Sequence, residues 1–217
     1  QRLMIDTYEE PPPGVAPRNR PAMRPRSLIA AFNLITPAAP DGCTGATPWR
    51  AGARRLHTDE RLPTGSCLAA EIRLASPAHI FLIAQDATGD LTRLFPSKCR
   101  DFNTLAPLLA RGRSFRFPPL SGAEKRVLEL QGTPGLERIY AVAVASPDLV
   151  HRLERRLDRL QGLCVPGRRF PEKIAARGPR QSYARVDRWH QHLTDLAARY
   201  PEEFEWREFR FWHDRSL

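Results

Sequence analysis

The chain has 217 residues and a mass of 24.6 kDa, a length that suits one core domain with extensions better than two full domains. Hydrophobic residues make up 41% and charged residues 27%, and no apolar run approaches the roughly 18–20 residues that cross a bilayer, so a membrane-spanning helix is excluded. Twenty-one prolines against 13 glycines exclude collagen and argue against a mostly helical bundle, because proline removes a backbone donor and clashes inside helices. The formal charge of +10 is carried almost wholly by arginine, with lysine only at Lys98, Lys125 and Lys173. Such a surface suits carboxylate or phosphate partners, although GC-rich coding produces the same bias.

Residues 1–26 place Pro11, Pro12, Pro13, Pro17, Pro21 and Pro25 among arginines with almost nothing to bury. They read as an extended polyproline-type arm in which Arg18, Arg20 and Arg24 are candidate partner contacts. The run Ser27 to Ile35 is a candidate strand, and Thr36 to Arg55 reads as loop. From His57 to Ser146 the strand pattern is strongest. Cys67 to Leu74 alternates around Glu71 and Arg73, His79 to Ala84 is an apolar run of strand length, and the two are expected to pair across Ser76-Pro77. Asp86 to Gly89 supplies a type I turn closed by a left-handed glycine, and Leu91 to Phe95 completes a hairpin. Further strands are predicted at Ser114 to Phe117, Arg126 to Leu130 and Arg138 to Val144.

The period then changes. Ser146 as cap, Pro147 and Asp148 open a helix with apolar residues at Leu149, Val150, Leu153, Leu157 and Leu160, ended by Gly162. After a basic connection, Val165 to Arg180, a second helix is marked by Ser182, Val186, Trp189, Leu193, Leu196 and Tyr200, with Pro201 as its stop. The fold class expected is mainly β with C-terminal α: an antiparallel sandwich or partly open barrel followed by two helices, behind an extended Pro-rich arm. The corresponding units are the arm at 1–26, a β-rich core ending in a helix at 27–162, and a basic linker, helix and aromatic tail at 163–217.

Ile80 to Ile83, Asp86 and Gly89, Leu94-Phe95-Pro96, Asn103, Gly112, Phe117-Pro118 and Gly135 to Ala141 occur in an order that resembles the bacterial domain-of-unknown-function family 4384. The resemblance covers roughly residues 57–160. It implies a β-rich domain to which no catalytic residues are assigned, found beside other modules in envelope proteins, caspase-like peptidases and kinases. Two departures stand out: the inserted Ala106 to Ala110, and Cys99 after the Leu-Phe-Pro step.

Cys43, Cys67, Cys99 and Cys164 lack metal-ligand spacing, so they read either as two disulfides, in one of three possible connectivities, or as four buried free thiols. A chain beginning at Gln1 is what signal-peptide removal leaves, though trimming leaves the same start, and with the cysteines it sets the expectation of an oxidising compartment. The sequence has no nucleophile elbow, zincin, phosphate-loop or dinucleotide fingerprint. His190 and His192 project about 200° apart on a helix and cannot share a metal there. Glu137 beside Arg138 reads as a solvated ion pair, with a buried pair as the alternative.

The tail Phe204 to His213 interleaves aromatics with arginines. It reads as a last strand or short helix over the domain edge, as a protein interface, or, with its glutamates opposing, as a single-strand nucleic-acid platform. The overall expectation is a non-enzymatic binding or scaffolding subunit of a periplasmic or cell-envelope assembly, without cofactor or metal. Protein partners are expected on the arm and on Trp206, Arg210 and Trp212, segments expected to order only on contact. The alternatives are an intracellular accessory module of a protease- or kinase-type system and, less favoured, a basic nucleic-acid binder.

Overall fold

Alternating apolar side chains need a second surface to bury them, and here each sheet supplies the other's. The computed structural model describes residues 27–37, 52–96, 108–118, 128–157, 161–162 and 183–215. Its elements are β1 (Ile29–Pro37), β2 (Ala53–Arg55), β3 (Glu60–Pro63), β4 (Cys67–Leu74), β5 (Ala78–Gln85), β6 (Leu91–Phe95), β7 (Leu108–Leu109), β8 (Ser114–Phe117), β9 (Leu128–Glu129), β10 (Gly135–Val144), α1 (Pro147–Leu157), β11 (Gln161–Gly162), α2 (Tyr183–Arg199) and β12 (Phe204–Asp214). One sheet has the order β2-β1-β4-β8, with β9 also on β4. The other has the order β11-β6-β5-β10-β12-β3, with β7 also on β5. Neither closes into a barrel. The protein is mainly β, with two helices on the outer face of the larger sheet.

Between the sheets lies a core built from Leu34, Ala70, Ile72 and Leu74 on one side and Ile80, Leu82, Ala141, Ala143, Phe209 and Phe211 on the other. The opposite face of the larger sheet presents Phe81, Ile83, Tyr140, Val142 and Phe204 to Leu149, Val150, Leu153 and Leu157 of α1 and to Trp189 and Leu193 of α2. The larger sheet is therefore apolar on both faces where the helices cover it, which is why β5 and β10 read as continuous apolar runs.

The expected pairing of β4 with β5 does not occur. The two edges of β4 are taken by β1 and β8, and those of β5 by β10 and β6, so the Ser76-Pro77 link carries the chain from one sheet to the other. The β5–β6 hairpin does form. Gly89 lies at φ 85° and its N–H donates to the Asp86 carbonyl, while Asp86 Oδ1 accepts from the Thr88 and Asp90 N–H groups. β2 occupies the end of the stretch read as loop, and β7 lies in the segment read as an insertion.

α1 opens at Pro147 as expected, with the Val150 N–H on the Ser146 carbonyl at 3.0 Å, and α2 ends before Pro201. Leu160, the connection 165–180 and the arm with Arg18, Arg20 and Arg24 lie outside the described residues. The tail is the last strand that one of its readings expected, and the expectation that it orders only on contact requires a correction. Residues 204–214 form β12, which pairs with β10 from Phe204 to His213 and with β3 on its other edge, so it needs no partner protein to order it. Phe209 and Phe211 point into the sandwich while Phe204 and Trp206 point under the helices, a two-residue alternation that needs cover on both sides.

Candidate functional site

β12 is longer than the helices that cover it. Its even-numbered residues share the helix-side face: Phe204 and Trp206 sit under α1 and α2, Glu208 lies at the margin beside His190 of α2, and Arg210 and Trp212 run beyond that cover. Register places Arg138 of β10 opposite Arg210, and Arg61 of β3 beside Trp212. The result is an open end of the sheet face with an aromatic ring flanked by guanidinium groups. Trp212 is 38% exposed, and the Arg61 guanidinium lies 5.7 Å from its ring centroid.

The charges of this face are nearly balanced. Arg61 Nη1 donates to Asp214 at 3.1 Å and Arg210 Nη2 to Asp59 at 3.1 Å. Glu208 faces Arg138 at 3.4 Å, Arg210 at 3.7 Å and His190 at 3.4 Å. Asp59 reaches Arg210 from a left-handed turn, φ 65°, a conformation aspartate tolerates better than most residues. Cations already paired with carboxylates are poor phosphate ligands.

The candidate residues are thus separated by the fold. Arg210 and Trp212 share the open face. Trp206 lies on the same side of the strand, but its ring packs on Tyr140 at 6.0 Å and edge-on to His190 at 4.7 Å. Of the cysteines, Cys67 is buried at the start of β4, and Cys43, Cys99 and Cys164 lie outside the described residues. Arg61 and Asp59 escaped the sequence reading because β3 is short and mostly polar, and only the parallel pairing with β12 brings them to the tryptophan.

A second polar group lies on the sandwich side. Glu137, 8% exposed, faces His213 rather than Arg138: His213 Nδ1 is 3.5 Å from Glu137 Oε1, and its Nε2 is 2.9 Å from Thr64 Oγ1. The expected solvated pair with Arg138 is therefore replaced by a buried one. Burial pushes the Glu137 carboxyl above its ordinary value, with Asp86 adding to the effect, against the opposing pull of His213 and of the Ala87 N–H. The hydroxyl, imidazole and carboxyl lie in the order of a nucleophile, base and orienting group. The backbone around the hydroxyl is nevertheless spent: the Gly65 N–H donates to the Leu130 carbonyl at 2.7 Å and the Ser66 N–H to Pro63 at 3.1 Å. Neither donor is free for an oxyanion, and Thr64 Oγ1 also lies 3.1 Å from the Asp214 carbonyl. Glu137 borders a cavity of about 50 Å³, room for water rather than for a substrate. Among the described residues no group of three or more potential metal ligands comes together, and no described helix is long and apolar enough to cross a membrane.

The order of strands and turns from β3 to the start of α1 can be set against known families. Residues 61–147 match the family described as a domain of unknown function (DUF4384). The match covers about two-fifths of the chain and includes the β5–β6 hairpin, the Phe95-Pro96 and Phe117-Pro118 steps and β10. No curated protein and no solved structure matches the chain. β1, α2 and β12 lie outside the matched segment, yet β1 pairs with β4 and β12 with β10, so the matched strands are completed by flanking chain.

Proposed function

We propose that this chain is a non-enzymatic binding or scaffolding subunit of a bacterial cell-envelope assembly, and that the open end of the larger sheet is its contact surface for another protein subunit. The observation that supports this reading is Trp212: a large aromatic left partly exposed on a strand that is paired on both edges, with Arg61 beside it. Tryptophan and arginine held on a rigid element lose little entropy on binding, and such residues dominate interface energetics. The arm with Arg18, Arg20 and Arg24 is proposed as a second contact, and Trp206 as a support for the face rather than an anchor.

The envelope part of the proposal rests on cysteine. Cys67 is buried, and a disulfide between it and one of the other three cysteines is the state an oxidising compartment would favour. Alkylation of the unreduced protein under denaturing conditions, followed by intact-mass measurement, is expected to find fewer than four free thiols, and four would instead favour the intracellular module.

For the contact surface, Trp212→Ala and Arg61→Ala are expected to lower co-purification of the subunits that the wild-type chain retains from its own envelope fraction, with an unchanged thermal midpoint. Retention of the same set by the double variant would move the contact elsewhere.

A further inference from the structure

The helices carry a second surface, cationic where the Trp212 face is nearly charge-balanced. A cleft of about 500 Å³ opens between α1 and α2. Arg152, Arg155 and Arg156 of α1 line one wall, and His192, Arg199 and the following Tyr200 line the other. The apolar floor is made by Leu149, Leu153, Leu196 and Phe204. The spacing explains the wall: positions three and four apart on a helix share a side, so Arg152, Arg155 and Arg156 converge on the same edge.

Among the described residues no carboxylate lines this cleft. Glu154 is drawn to the opposite side of α1 by Arg93, at 3.5 Å, and Asp195 accepts a hydrogen bond from Gln191 at 2.7 Å. Among the described residues, Arg152 is bonded only to a neutral group, the Tyr200 hydroxyl at 3.1 Å, and Arg155, Arg156 and Arg199 have no ion pair. Burial and the Arg156 guanidinium together push the His192 imidazole down, against the weaker pull of Asp195, so the cleft already repels a further positive charge. At the open sheet end, by contrast, Arg61, Arg138 and Arg210 each face a carboxylate.

We propose that the α1–α2 cleft docks an acidic peptide segment of a partner protein, which sets an apolar side chain on the Leu149, Leu153, Leu196 and Phe204 floor and its carboxylates against Arg152, Arg155, Arg156 and Arg199. The site is independent of the Trp212 face. Guanidinium groups spaced by one helical turn, about 5–6 Å, suit carboxylates spread along a peptide better than one compact phosphate. A nucleic-acid strand would need exposed rings for base stacking, whereas Phe204 is 2% exposed and the Tyr200 hydroxyl is tied to Arg152.

The test uses the full chain and a fluorescein-labelled Glu-Glu-Leu-Glu-Glu-Phe-Glu-Glu peptide, followed by fluorescence anisotropy. Binding is expected to weaken as salt is raised, to be at least about tenfold weaker for the peptide with every Glu replaced by Gln, and to fall by a similar factor in Arg156→Glu/Arg199→Glu. The milder Arg155→Gln/Arg199→Gln variant should give a smaller loss in the same direction with an unchanged thermal midpoint, and Trp212→Ala should leave binding intact. Equal binding of the neutral peptide, or undiminished binding by the charge-reversed variant, would overturn the proposal. So would loss of binding in Trp212→Ala, or tighter binding of a single-stranded oligonucleotide at the same arginines.

Discussion

The two ends of one sheet face differ more than the two faces do. At one end the helix-side residues of β5, β10 and β12 are Phe81, Ile83, Val142, Val144, Phe204 and Trp206, all packed under α1 and α2. At the other end the same strands, in the same alternation, present Arg138, Glu208, Arg210 and Trp212. Cover decides composition here: where a helix removes water the sheet is aliphatic and aromatic, and where the helices stop it becomes charged within one strand period. Trp212 breaks that rule, because it is a large ring on the uncovered side.

The covered end should be the more sensitive. Phe81 is 0% exposed, lies beside its cross-strand neighbour Val142 under the helices, and has the Arg93 guanidinium 5.7 Å from its ring centroid. Phe81→Ala is expected to cost about 3–5 kcal/mol in chemical denaturation, because it removes a buried ring and leaves a cavity that two helices and a sheet cannot fully close. A loss below about 1 kcal/mol would show that α1 and α2 rest loosely on the sheet, and the contrast between the two ends would fail.

Two carboxylates on the sandwich side sharpen the comparison through pH. Glu205 accepts from the Leu28 N–H at 2.6 Å, the Ile29 N–H at 3.0 Å and the Ser27 hydroxyl at 3.0 Å, tying the start of β1 to β12. Burial alone would raise its pKa, but these donors and Arg207 hold it below the ordinary carboxylate range. Its stabilising contribution is therefore present above the ordinary carboxylate pKa and is lost as pH falls through the depressed value. Glu205→Ala should cost roughly 1.5–3 kcal/mol at neutral pH, the scale of hydrogen bonds to a charged group, with the deficit shrinking in acid.

Glu137 has the opposite sign. Its raised pKa means that the native state keeps its proton longer than the unfolded chain, so its contribution is present below the ordinary carboxylate range and declines as pH rises through the raised value. Glu137→Gln should flatten that decline in a series of thermal midpoints against pH. An unchanged slope would show that Glu137 is not the group responsible.

The architecture was legible because period and punctuation agreed. Gly89 and Asp86 specified a hairpin that forms, Pro96 and Pro118 follow the last residues of β6 and β8, and the apolar spacing of 149–157 and 189–200 matched faces that are buried. Pairing was less legible. The β4–β5 link looks like a hairpin locally, and only competition from β1, β8, β10 and β6 for the strand edges sends it between sheets. The tail was misread as dependent on a partner because its aromatics occur on both alternations, which looks unburied until two layers of cover are supplied. His213 gave a faint signal, two residues beyond Phe211 on the same alternation, but its partner Glu137 is set by register across strands far apart in sequence. The arginine cleft depends on two helices meeting, which no single helix pattern declares.

The smallest effect is expected where the proposed contact lies. Trp212 is partly exposed, and its interaction with Arg61 is a cation–π contact at a wet surface, worth about 0.5–1 kcal/mol. The Arg61–Asp214 pair has side chains 70% and 42% exposed, in the range where ion pairs contribute little. Trp212→Ala and Arg61→Ala should each shift stability by no more than about 1 kcal/mol, with a coupling near 0.5 kcal/mol in a double-mutant cycle. That small value carries the argument, because it separates a residue kept for contact from one kept for the fold. A cost of roughly 3 kcal/mol for Trp212→Ala, comparable to Phe81→Ala, would place the ring in the core and leave the open end of the sheet with nothing that the fold does not already explain.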